Sequence, residues 1–166
     1  MPTISSLVTA AVALSPSITP GVYFIKNTGS GTVIDIASGN GGVLGWKMHS
    51  YAEPTVSRQL WIINPVDSEN QVYQIRNVDG THYLDIPNGN PATGTPVVSS
   101  DNTGQSSINW QITPAPDSSG YVIRNNASNT YVDLYLGGSA NGTAINGWAG
   151  GPPFTNTHQL WDFQSA

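Results

Sequence analysis

The chain has no cysteine among its 166 residues and little charge of either sign, with five basic and ten acidic side chains amounting to 9% of the whole. Without cysteine there is no disulfide framework, no thiolate metal site and no cysteine nucleophile. No apolar run approaches the roughly eighteen residues that a membrane-spanning helix requires. The basic residues Lys26, Lys47, Arg58, Arg76 and Arg124 are scattered, and the net charge is −5. A nucleic-acid partner, which needs a clustered basic footprint, is therefore not expected. The histidines His49, His82 and His158 share no metal-ligand spacing, and no Gly-x-Ser-x-Gly elbow, zincin pair or phosphate loop occurs. Neither a metal nor a cofactor is expected, nor an enzyme.

What the chain does contain is a repeat. Tyr23-Phe24-Ile25-Lys26-Asn27, Tyr73-Gln74-Ile75-Arg76-Asn77 and Tyr121-Val122-Ile123-Arg124-Asn125 each lead, through a turn, to Val33-Ile34-Asp35-Ile36, Tyr83-Leu84-Asp85-Ile86 and Tyr131-Val132-Asp133-Leu134. Each then closes on a tryptophan, Trp61, Trp110 or Trp161. The tyrosines at 23, 73 and 121 are 50 and 48 residues apart, so one supersecondary unit occurs three times. The units span about 21–66, 67–116 and 117–166, and together with a leader over 1–20 they make one domain. Short stretches rich in Val, Ile, Tyr and Trp are separated by Gly, Asn, Ser and Pro, and no window carries a helical stripe. The expectation is an all-β chain whose three repeats close on a pseudo-threefold axis into a hairpin-capped barrel, which removes exposed strand edges.

The motifs resemble those of the ricin-B-like β-trefoil lectins, whose repeats end in Gln-x-Trp, and within that family are most similar to the mushroom agglutinins. The resemblance covers about 21–164 and is fullest in the third repeat: Asp133-Leu134, then Gly142-Thr143-Ala144-Ile145-Asn146-Gly147-Trp148, then His158-Gln159-Leu160-Trp161. It implies a β-trefoil of four strands per repeat.

A sugar offers an array of hydroxyls and an apolar C–H face, so a site for one combines a fixed carboxylate, an aromatic ring and amide donors. In the third repeat Asp133 is expected to accept from two adjacent hydroxyls and Trp148 to stack beneath the ring. Asn146, the Gly147 backbone and His158 are further contacts implied by the resemblance, and Gln159 is expected to brace Asp133. The first repeat keeps Asp35, Gly45, Trp46 and Gln59, but Arg58 stands in the place of His158 and Leu44 in that of Asn146. It is expected to bind sugar with altered preference, with His49 and Tyr51 as additional contacts or as solvated surface. The second repeat has Ser100 for the aromatic platform and Ile108 for the glutamine, which makes Asp85 structural. Trp61, Trp110 and Trp161 end apolar strands and are expected in the core.

The function implied is a lectin for galactose- or N-acetylgalactosamine-terminated glycans, acting as a defence agglutinin. Its partners are glycans of glycoproteins or glycolipids, and membranes are met only through them. The alternatives are a trefoil protease inhibitor acting through an exposed loop and, more weakly, a membrane-acting toxin. The apolar segment Leu7 to Leu14 has no preceding Lys or Arg, so cytoplasmic location is expected, with secretion as the alternative. The leader is a candidate homodimer contact. The glycosylation-like tripeptides Asn126-Ala127-Ser128 and Asn141-Gly142-Thr143 are expected to be unmodified.

Overall fold

The computed structural model describes residues 17–36, 41–116 and 120–166. The first repeat supplies β1 (Gly21–Asn27), β2 (Val33–Ile36), β3 (Val43–Trp46) and β4 (Trp61–Asp67). The second supplies β5 (Val72–Asn77), β6 (Tyr83–Asp85), the short pair β7 (Thr95–Pro96) and β8 (Val98–Ser100), and β9 (Asn109–Pro114). The third supplies β10 (Tyr121–Asn125), β11 (Tyr131–Leu134), β12 (Thr143–Trp148) and β13 (Trp161–Ser165). The one departure from four strands per repeat lies at β7 and β8. Pro96 there has no N–H to offer a ladder, and Val97 donates instead to the carbonyl of Ile145 at 3.0 Å.

Six strands close a ring: β1 pairs with β4, β4 with β5, β5 with β9, β9 with β10, β10 with β13, and β13 with β1, all antiparallel. The hairpins β2–β3, β6–β8 and β11–β12 cap it and are stitched together through β3–β12, β12–β7 and a bridge between Gly42 and Val98. This is the β-trefoil that the repeat predicts, and closure leaves the barrel no free edge.

The repeated residues explain why. Alternation in Tyr73-Gln74-Ile75-Arg76-Asn77 buries Tyr73, Ile75 and Asn77 and turns Gln74 and Arg76 outward. Trp61, Trp110 and Trp161 are fully buried, as expected, and their indole N–H groups donate to the carbonyls of Ile34, Leu84 and Val132 at 2.9, 3.0 and 3.0 Å. Each of those carbonyls belongs to the residue just before the repeat's aspartate, so the core tryptophan also sets the depth of the strand that carries it.

The buried asparagines join one repeat to the next. Asn27 donates to the carbonyls of Thr157, His158 and Leu160, Asn77 to those of Ser57 and Leu60, and Asn125 to that of Ser107. Their side-chain oxygens accept from backbone amides in the turn that follows. A first-repeat asparagine therefore holds the segment that contains His158 and Gln159. Arg76 and Arg124 are spent on similar local work, donating to the Gly80 carbonyl and the Asn129 side chain.

Ile18, which lies within the leader, is buried in the main core, and the Tyr23 hydroxyl donates to the Thr19 carbonyl at 2.7 Å. The packed unit thus includes residues just ahead of β1. The candidate subunit contact of the leader falls mostly on residues 1–16, outside the described residues.

Candidate functional site

In the third repeat the register of β11 and β12 sets Asp133 opposite Asn146 and Tyr131 opposite Trp148. Directly opposed residues project to the same side of a hairpin, so the carboxylate and the indole share a face. Around them opens a shallow cleft of about 130 Å³ lined by Asp133, Tyr135, Leu136, Trp148, Asn156 and His158. Such a volume is below the roughly 300–1,000 Å³ of pockets that enclose a drug-sized ligand, and suits a ligand held at the surface by one end.

The floor is rigid. Gln159, itself buried, donates to Asp133 Oδ2 at 2.9 Å and to the Ala149 carbonyl at 2.9 Å, tying the carboxylate to the chain just after Trp148. Because the bond goes to Oδ2, Oδ1 is the acceptor left for a ligand. Burial pushes the Asp133 carboxyl above the ordinary aspartate range, while the Gln159 hydrogen bond and the nearby His158 pull it part of the way back. His158 takes its place because residue 137 is glycine: at φ +63° a Cβ there would lie 2.7 Å from the imidazole Cδ2. Asn156 accepts from the His158 amide at 3.1 Å and fixes the turn that presents the ring.

The first repeat reproduces this construction. Gln59 donates to Asp35 Oδ2 at 2.9 Å and to the Lys47 carbonyl at 3.0 Å, just after Trp46. Burial again raises the carboxyl, against the lowering effects of the Gln59 hydrogen bond, Arg58 and His49. Arg58 Nε donates to the Ile36 carbonyl at 3.1 Å and stands 3.9 Å from Asp35 Oδ1. His49 is engaged by Thr55 and Glu53, and Tyr51 packs on Phe24 with ring centroids 5.7 Å apart, so both have structural employment.

The second repeat does not reproduce it. Ser100 donates to Asp85 Oδ2 at 2.7 Å, Oδ1 is buried without a partner, and Ile108 occupies the place of the bracing glutamine. Asp85 sits within the hairpin without a platform above it.

Each platform depends on two repeats. A Cβ on Gly94 would lie 3.5 Å from the Trp148 ring, and one on Gly142 would lie 3.9 Å from the Trp46 ring. Both glycines have φ near +90° (+89° and +88°), and their amides donate to the carbonyls of Gly147 and Gly45 at 2.9 Å. Gly147 and Gly45 give their carbonyls to the neighbouring repeat. The side where a Cβ would stand is filled in both, by Thr130 and Ile86 at Gly147 and by Leu134 and Thr32 at Gly45. Asn146 is buried in β12 directly opposite Asp133 and so shares its face of the hairpin.

Tyr135, Leu136 and Asn156 line the cleft although the motifs do not single them out. The signal is present in the alignment of repeats: Tyr135-Leu136 precedes Gly137 where the others have Pro87-Asn88 and Ala37-Ser38.

With this geometry in view, the sequence matches the profile of the ricin-type β-trefoil lectin-like domains over residues 12–98 and 57–148. The chain belongs to that family. The trefoil superposes on a lectin from Macrolepiota procera, a ricin B-like lectin in complex with lactose, at TM-score 0.71 and 24% identity, covering 91% of this chain and 100% of the other. A Polyporus squamosus lectin bound to a Neu5Ac-Gal-GlcNAc epitope gives TM-score 0.73 and 25% identity over 90% of this chain, which spans 50% of that longer lectin. The designed threefold-symmetric protein ThreeFoil gives 0.75 at 16% identity, covering 88% and 99% of the two chains. No curated protein matched the chain.

Proposed function

We propose that this trefoil is a non-enzymatic lectin for galactose- or N-acetylgalactosamine-terminated glycans, bound through its first and third repeats. One observation carries the reading. The bracing of a buried aspartate by glutamine, with a tryptophan at the rim, occurs twice in the same geometry and is lost in the second repeat together with its tryptophan. A carboxylate oxygen is a charge-assisted acceptor for hydroxyls, worth about 1.5–3 kcal/mol, and a half-exposed indole offers a flat face to sugar C–H groups. The lactose in the Macrolepiota complex is a galactoside, which agrees with the sugar class. No group of three His, Cys, Asp or Glu able to hold a metal occurs among the described residues.

Single sites of this open kind bind in the roughly millimolar to micromolar range. Two sites per chain, or a dimer made through the leader, raise retention on a glycan-bearing surface by roughly 10² to 10⁴. A defence agglutinin held in the cytoplasm of the producing cell fits such avidity. The test is a glycan array probed with the intact chain: binding to terminal Gal or GalNAc structures is expected. An array with no such binding overturns the reading and favours the trefoil protease inhibitor.

Acid will separate binding from folding. Both site aspartates are held above the ordinary range, chiefly by burial, with Gln159 and His158 facing Asp133, and Gln59, Arg58 and His49 facing Asp35. Sugar affinity needs the ionised form as acceptor, so it is expected to fall at a pH above the titration of an exposed aspartate. The sign for stability is opposite. A raised folded-state pKa means that the folded protein binds the proton more tightly than the unfolded chain, so these two groups favour the fold as pH falls through that window. Titration calorimetry with galactose and thermal melts across the same pH series should therefore show affinity declining before stability does.

A further inference from the structure

One segment of the third-repeat cleft is at odds with its own residue type. Leu136 has φ +51°, a left-handed conformation, and is 73% exposed. Leucine is disfavoured there, since its Cβ crowds the carbonyl, and such exceptions concentrate at functional sites. The turn itself does not require leucine. The corresponding residue of the second repeat, Asn88, adopts φ +57° in the same place after its strand, and asparagine tolerates this conformation. Tyr135, next to Leu136, is 48% exposed, whereas the second repeat has Pro87. An exposed aromatic and an exposed, strained leucine thus stand in the third repeat where the second has Pro-Asn, and both line the cleft with Asp133 and Trp148.

We propose that Tyr135 and Leu136 form an apolar wall that selects, at the third-repeat site, sugars carrying a 2-acetamido group over those with a free 2-hydroxyl. This rests on the reading of the cleft as a galactoside site. The physical reason is a division of labour inside one cleft. Asp133 Oδ1 accepts from ring hydroxyls, and Trp148 covers the C–H face. With Asn156 and His158 also lining the cleft, the remaining side is the surface of Tyr135 and Leu136, whose apolar part an acetamido methyl can cover. Burying one methyl-sized group corresponds to roughly a fourfold gain in affinity. Leu136 has a larger face than one methyl needs, and Tyr135 adds an edge, so the wall accepts the group without having to close around it.

The experiment compares methyl α-galactoside with methyl α-N-acetylgalactosaminide, which differ only at C2. Each is titrated into ¹⁵N-labelled protein while the Trp148 indole signal is followed, which reports the third site alone. The wild type is expected to bind the acetamido sugar roughly fourfold or more tightly. Leu136→Asn is expected to bring the two affinities together, chiefly by weakening the acetamido sugar. Asparagine suits the φ at this position, so the variant should melt at or above the wild-type temperature, and a change in preference cannot be ascribed to unfolding. Equal affinities in the wild type, or a preference unchanged by Leu136→Asn, overturn the proposal while leaving the galactoside site standing. If neither sugar moves the Trp148 signal, the site reading itself fails and this inference with it. Light scattering on both proteins supplies the remaining outcome: a wild type that self-associates and a Leu136→Asn variant that does not would make the wall a protein contact instead.

Discussion

Replacing Trp161 with alanine will cost the fold about 3–5 kcal/mol, a large share of the roughly 5–15 kcal/mol by which domains of this size are stable. The side chain is fully buried in the main core, so truncation leaves a large cavity that the surrounding Val and Ile residues cannot fill without shifting barrel strands. It also removes the indole donor from the Val132 carbonyl, leaving a buried acceptor unpaired. Urea unfolding should show the midpoint falling steeply with little change in slope. Sugar binding, measured well below the new melting temperature, should fall less than stability does, because Asp133 keeps its Gln159 brace. An unfolding midpoint close to that of the wild type would refute the assignment of the closing tryptophans to the core.

Trp148→Ala is expected to do the reverse. The indole is 36% exposed, its ring lies beside Gly94, and unlike Trp161 it stands outside the buried core cluster. Stability should change by less than about 1 kcal/mol, as for surface substitutions that leave no cavity. Binding at the third site loses the stacked apolar face, about 1.5–3 kcal/mol, or roughly tenfold to a hundredfold in affinity. From a starting point of micromolar to millimolar binding, that removes the site from practical detection. The first repeat keeps Asp35, Gln59 and Trp46, so some binding of monovalent sugar should persist while haemagglutination, which needs two engaged sites, is lost. Haemagglutination and glycan-array binding unchanged in Trp148→Ala would show that the platform has been misassigned. The two tryptophans, thirteen positions apart in the chain, are thus distinguished by one pair of measurements.

Much of the fold and part of the site are legible in the sequence. The alternating strand pattern, the turn residues between strands and the period near fifty leave few arrangements for three all-β units other than closure about a threefold axis. The loss of both Trp and Gln from the second repeat separates residues of the fold from residues of the site. Less legible are contacts between residues far apart in sequence. The family resemblance names Asn146 and the Gly147 backbone as contacts, but that Asn146 is buried opposite Asp133 and that Gly147 packs against Thr130 follows only from strand pairing. Tyr135 and Leu136 look like a turn, and only their exposure beside Asp133 gives them a place in the cleft.

By itself the sequence determined the threefold repeat, the all-β class, the core tryptophans and the two repeats that keep Asp, loop Trp and Gln together. These follow from local periodicity and from side-chain chemistry, which are properties of neighbouring residues. Only the tertiary structure decided that each platform rests beside a glycine of an adjacent repeat, and that Asn27 of the first repeat holds the His158–Gln159 segment of the third. The physical reason is closure of the barrel: it brings β1 against β13, and so sets side by side residues some 130 positions apart whose hydrogen bonds no local pattern encodes.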